Sequence, residues 1–102
     1  MRSYKRTARV DFDAINRAAT SAMLWLLTRW LPDGRREGQE WISRNPTRVD
    51  RHPGSFKVNI HTGRWSDFAT GDKGGDPISL FAYLNGIGQL EAARQLQEEI
   101  GA

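Results

Sequence analysis

Ser55-Phe56-Lys57-Val58-Asn59-Ile60-His61-Thr62-Gly63-Arg64-Trp65-Ser66-Asp67-Phe68 is the stretch that decides how this chain folds. Phe56, Val58 and Ile60 alternate with Lys57 and Asn59, the period of a strand with one buried face. His61-Thr62-Gly63 supplies a hairpin turn, with the glycine where φ must be positive. Arg64 to Phe68 is the return strand, and Trp65 is its strongest apolar residue. By alternation Lys57 and Arg64 share the face opposite Phe56, Val58 and Trp65.

Downstream, Ala69 to Gly75 reads as a glycine-rich turn. Asp76 then caps a short helix with Pro77 at its first position, and Ile78, Leu80, Phe81 and Leu84 form its buried face. Asn85-Gly86-Ile87-Gly88 breaks the chain, and Gln89 to Ile100 makes a last helix that packs through Leu90, Ala93, Leu96 and Ile100 and stops at Gly101. Upstream, Gln39 to Ser43 is a strand around Trp41 and Ile42, followed by a polar loop from Asn45 to Gly54. Asp13 to Leu31 reads as one long helix, because Ile15, Ala18, Ala19, Ala22, Met23, Leu26, Leu27 and Trp30 keep the helical period. Asp11 or Asp13 caps its start and Pro32-Asp33-Gly34 ends it. The expected class is α+β: a long N-terminal helix, a small antiparallel sheet and two short C-terminal helices. Residues 1–10 form a flexible basic arm carrying Arg2, Lys5, Arg6 and Arg9, and residues 11–102 form a single domain.

Composition narrows the function classes. With no Cys, neither a disulfide nor a thiolate metal site can form. Small domains commonly need such a staple, so packing has to serve instead, and four Trp and four Phe are the means at hand. No stretch approaches the roughly 18 apolar residues of a membrane span. The basic start has no signal-peptide core before Asp11 and Asp13, which points to a cytoplasmic protein away from membranes. Fourteen of the fifteen Lys and Arg precede Gly74, whereas the tail carries Glu91, Glu98 and Glu99. A basic body of this kind suits a polyanion partner such as nucleic acid.

Five segments, taken together, resemble the zinc-ribbon domain at the N-terminus of bacterial and phage-type DNA primases. They are Ser55-Phe56-Lys57-Val58, Gly63-Arg64-Trp65, Asp67-Phe68, the run Gly71-Asp72-Lys73-Gly74-Gly75-Asp76-Pro77-Ile78-Ser79-Leu80, and Glu91-Ala92-Ala93-Arg94-Gln95-Leu96. The resemblance covers residues 40–101 and leaves the first helix outside. It implies a zinc-ribbon-like sheet and a role in contacting single-stranded template DNA. The family binds zinc through three Cys and one His. By alignment the first Cys falls near Pro46, the His near Val49, and the later pair near Asp67 and around Ala69 or Thr70. None of these is a zinc ligand set, so the chain reads as a metal-free form without cofactor, stapled by Trp41, Phe56, Trp65 and Phe68.

These readings give a candidate nucleic-acid surface of Arg48, Arg51, Lys57, His61, Arg64 and Lys73. Trp65 is assigned to the core. The loop from Gly71 to Asp76 lacks the Gly-Lys-Ser/Thr ending of a phosphate loop, and Asp76 would repel an anion. Asp67, Asp72 and Asp76 could in principle hold Mg²⁺, with His52 or His61 as a base, but their spacing fits turns and caps better. No catalysis is expected. The resulting expectation is an accessory protein that binds single-stranded DNA in the replication or priming of a phage, plasmid or other mobile element. The alternative is an interaction module docking on a primase, helicase or polymerase through the broad apolar helix surface around Trp25, Trp30 and Leu31.

Overall fold

A computed structural model describes residues 10–49 and 54–101. Two helices open it, α1 (Phe12–Ser21) and α2 (Met23–Trp30). Five strands follow: β1 (Arg35–Glu37), β2 (Glu40–Ser43), β3 (Phe56–Asn59), β4 (Trp65–Asp67) and β5 (Asp72–Gly74). Helices α3 (Pro77–Asn85) and α4 (Gln89–Ile100) close it. The strands lie in chain order and every neighbouring pair is antiparallel. Among the described residues no helix is long and apolar enough to cross a membrane.

The expected long helix is two helices meeting at Ala22, whose φ of −111° and ψ of 18° leave the helical region. The side chains explain the break. Thr20 Oγ1 and Ser21 Oγ both donate to the Arg17 carbonyl, at 2.8 and 3.2 Å. Such back-bonding competes with the helical ladder and bends it. The apolar stripe survives the break: Ile15, Ala19, Met23, Leu26 and Leu27 are all buried. Asp11 caps α1, accepting from the Ala14 N–H at 3.0 Å.

Strands β1 and β5 lie outside the sequence expectation, which has no strand at Arg35–Glu37 and a plain turn over Ala69–Gly75. Both are three residues long and sit at the edges of the sheet. Arg35-Arg36-Glu37 and Asp72-Lys73-Gly74 carry no apolar alternation from which a strand could be read. Short charged edges of this type resist pairing with another chain.

The inner face of the sheet carries Trp41, Phe56, Val58 and Trp65, all buried. Tyr83 of α3 meets it, its ring stacked on Phe56 at 6.0 Å and tilted against Trp65 at 4.4 Å. Both inner indoles find polar partners. Trp41 Nε1 donates to the Leu31 carbonyl just past α2 at 3.0 Å, and Trp65 Nε1 donates to Ser79 Oγ at 3.0 Å. Asp76 and Ser79 also form a capping box at the start of α3, so one serine ties the helix start to the sheet. Around this contact α1, α3 and α4 bury Ile78, Leu80, Phe81, Ala92, Ala93 and Leu96.

Gly74 lets β5 pass over Trp65: a Cβ there would overlap the indole nitrogen and Ser79 Oγ. Neighbouring Gly75 faces open space. Gly74→Ala is therefore expected to cost about 1–3 kcal/mol through overpacking. Gly75→Ala is expected to stay within about 0.5 kcal/mol of wild type. Urea unfolding of the two variants checks the contrast.

Candidate nucleic-acid interface

Pleating sends every second side chain of β3, β4 and β5 to the outer face. Register places Lys57 opposite Ser66 and Ser66 opposite Lys73, one row across three strands. Arg64, just before β4, joins them. Lys57, Asn59, Arg64, Ser66 and Lys73 line a shallow recess of about 280 Å³, bordered by Glu40 and the edge of Trp65. Lys57 and Arg64 thus share the outer face, as the alternation expects. Lys73 reaches it because β5 is a strand.

Phe68 is the residue that sequence reasoning misplaced. Expected to pack with Trp41, Phe56 and Trp65, it is 69% exposed. The Lys57 ammonium sits 5.6 Å from its ring centroid, a cation–π geometry that leaves most of the ring to solvent. The signal was present in the sequence: Phe68 lies three residues after Trp65, and odd separations along a strand point to opposite faces. Its N–H donates to the Ser55 carbonyl at 3.2 Å, which fixes its backbone to the base of β3.

The remaining expected residues go elsewhere. Arg48 turns inward and pairs with Asp67, its Nε and Nη2 at 3.2 and 2.9 Å from Oδ2. Arg51, like His52 and the arm's Arg2, Lys5, Arg6 and Arg9, lies outside the described residues. His61 sits exposed in the β3–β4 turn with its ring hydrogen-bonded to Gln39. That turn is held by Asn59 Oδ1, which accepts from the N–H groups of His61 and Thr62 at 2.8 and 3.0 Å.

The proposed docking trio does not form one surface. Leu31 is buried. Trp30 packs edge-on against Phe81 at 5.3 Å and donates its indole N–H to Glu99 at 3.0 Å. Trp25 alone of the three is exposed, at 51%, with Arg29 stacked 4.8 Å above its ring. Helical period could not separate these roles, because α4 covers part of the surface through Glu99.

Asp67 is fully buried at the end of β4. Its Oδ2 accepts from Asn45 Nδ2 at 2.8 Å and from Arg48, and its Oδ1 accepts from the Ala69 N–H at 2.9 Å. Burial pushes this carboxyl up and is the largest single effect. The hydrogen bonds from Asn45, Arg48 and Ala69, with the Arg48 charge, together outweigh it and hold Asp67 below the usual carboxylate value. Asp72 accepts from the Tyr83 hydroxyl at 2.7 Å, and Asp76 caps α3. The three aspartates thus take separate places. Among the described residues no group of three or more His, Asp or Glu side chains converges in a way that could hold a metal ion.

This architecture has a counterpart among solved structures. The crystal structure of the Aquifex aeolicus primase, comprising its zinc-binding and RNA polymerase domains, superposes with a TM-score of 0.74 at 24% sequence identity. The match covers 91% of this chain and 22% of that one, so it spans about a fifth of the length of the crystallised primase chain. The likeness shows a primase zinc-ribbon-like fold. No protein-family model and no curated protein sequence matches the chain.

Acid should test the Asp67 site. A carboxyl with a lowered folded-state value contributes its stability fully above its unfolded pKa of about 3.9, and loses it as pH falls through the folded value. Asp67→Asn is expected to cost about 1.5–3 kcal/mol near neutrality. It should also flatten the loss of stability between about pH 5 and pH 2, followed by urea unfolding across that range.

Proposed function

We propose that this chain binds single-stranded nucleic acid, DNA above all, on the outer face of its sheet, and that it does no chemistry on what it binds. The observation carrying this reading is the exposed Phe68 ring beside Lys57, next to a recess lined by Arg64 and Lys73. Cations attract the phosphate backbone, and an open aromatic ring gives an unstacked base a partner worth about 1–3 kcal/mol. A duplex offers no free base face to such a ring, which favours the single strand. The fold supports the same reading, since its Aquifex counterpart is a primase. We place the chain as an accessory to replication or priming, including that of mobile elements, and as a form of the domain without the zinc ligands.

On this geometry we revise the proposed binding set. Phe68 enters the set, Lys57, Arg64 and Lys73 stay in it, and Arg48 leaves it because Asp67 holds its guanidinium. His61 borders the face at the hairpin tip.

A second reading has its own observation. Trp25 and Leu24 are exposed at 51% and 38% on α2. They offer a small apolar contact for a protein such as a primase, helicase or polymerase.

Fluorescence anisotropy with labelled single- and double-stranded oligonucleotides tests the two. Single strands should bind more tightly than duplex. Three phosphate contacts predict roughly a 20-fold loss of affinity when salt is quadrupled. Lys57→Glu, Arg64→Glu and Lys73→Glu should each weaken binding and reduce the salt slope by about 0.7. Phe68→Ala should cost roughly 5- to 150-fold with little change in that slope. No binding to any oligonucleotide at low salt would sink the reading, and a partner association abolished by Trp25→Ala in a folded protein would then favour docking.

A further inference from the structure

Two segments, one after β2 and one at the end of β4, each carry a pair of polar residues separated by two others, Asn45 with Arg48 and Asp67 with Thr70. Structural zinc sites draw their ligands from pairs with this kind of spacing on two facing loops. The sequence alignment put the first pair of metal positions near Pro46 and Val49. Of the residues around those positions, Val49 is 84% exposed, whereas its neighbour Arg48 and the 1% exposed Asn45, next to Pro46, both meet Asp67.

The residues present do not fit a metal. Arg48 is a cation without a lone pair, and its guanidinium lies where it contacts Asp67 Oδ2. Asn45 turns its amide nitrogen toward the same oxygen and uses its own carbonyl oxygen for the N–H and hydroxyl of Thr47, at 2.9 and 2.7 Å. On the other loop the Asp67 backbone carbonyl accepts from the N–H groups of Thr70 and Gly71, at 3.2 and 2.7 Å. Asn45 Nδ2 also lies 2.8 Å from the Tyr83 hydroxyl, which donates to Asp72 on β5.

We infer that Asn45, Arg48 and Asp67 are a metal-free staple, an ion pair with hydrogen bonds that ties together the two segments near which the family resemblance puts the zinc ligands. The aromatic packing expected as the substitute, from Trp41, Phe56, Trp65 and Phe68, leaves Phe68 at the surface and gains Tyr83 against Phe56 and Trp65. This inference rests on the fold and the site geometry and stands apart from nucleic-acid binding.

The test rebuilds the metal site. A quadruple variant with N45C, R48H, D67C and T70C should retain one equivalent of zinc per chain through gel filtration, and its thermal midpoint should fall when a chelator is added. A folded quadruple variant that takes up no zinc, or an unfolded one that zinc does not rescue, overturns the staple. Wild-type protein should show the same midpoint with zinc or chelator, and stoichiometric zinc in it would also count against the idea. Arg48→Gln should lower the midpoint by roughly 10–20 °C, because it strands a buried carboxylate. Adding Asp67→Asn to it should cost little more, since paired residues are not additive. Full additivity of the two losses would show that they are not partners.

Discussion

Asp67 sits at the end of β4 with no exposure to solvent, and a buried carboxylate stays ionised only where donors surround it. Two parts of the chain supply them: Asn45 and Arg48 from the loop after β2, and the Ala69 N–H from the turn into β5. The turn into β5 cannot shift without disturbing that carboxylate, and β5 in turn brings Lys73 to the outer face. Asn45 extends the same network to Tyr83, whose ring fills the space between the sheet and α3. One charge therefore fixes loop, strand and helix relative to one another. A charge pair of this kind adds little net stability over an apolar replacement, but losing either partner is costly.

The sheet separates two tasks between its faces. The inner face is aromatic and closed by helices, with both indole N–H groups satisfied at Leu31 and Ser79. The outer face over β3 to β5 carries cations and one open ring. Arg48 shows how easily the two sets are confused: it belongs with the cations by charge, yet its side chain is used for structure. The same holds at the N-terminal helices, where Trp30 is absorbed by Phe81 and Glu99 while Trp25, one and a half turns earlier, remains at the surface.

Much of this was legible in the chain. The β3–β4 hairpin, the core role of Trp65, the Asp76 cap and the Gly101 stop all follow from local rules, because period, turn chemistry and capping act over a few residues. The break at Ala22 had a local signal in Thr20-Ser21, although the unbroken apolar stripe concealed it. The edge strands had almost none. Arg35–Glu37 and Asp72–Gly74 become strands because β2 and β4 offer unpaired backbone groups, and that depends on a sheet already assembled.

The sequence by itself determined the α+β class, the parity that puts Lys57 and Phe56 on opposite faces, and the absence of any thiolate, since these depend on residue identity and short-range spacing. The tertiary structure alone decided which cations face outward and which residue meets the buried Asp67. Arg48 and Asp67 lie nineteen residues apart, and no local rule pairs them. Only the fold brings the two loops close enough for a guanidinium to reach a buried carboxylate, and that pairing removes Arg48 from the outer surface.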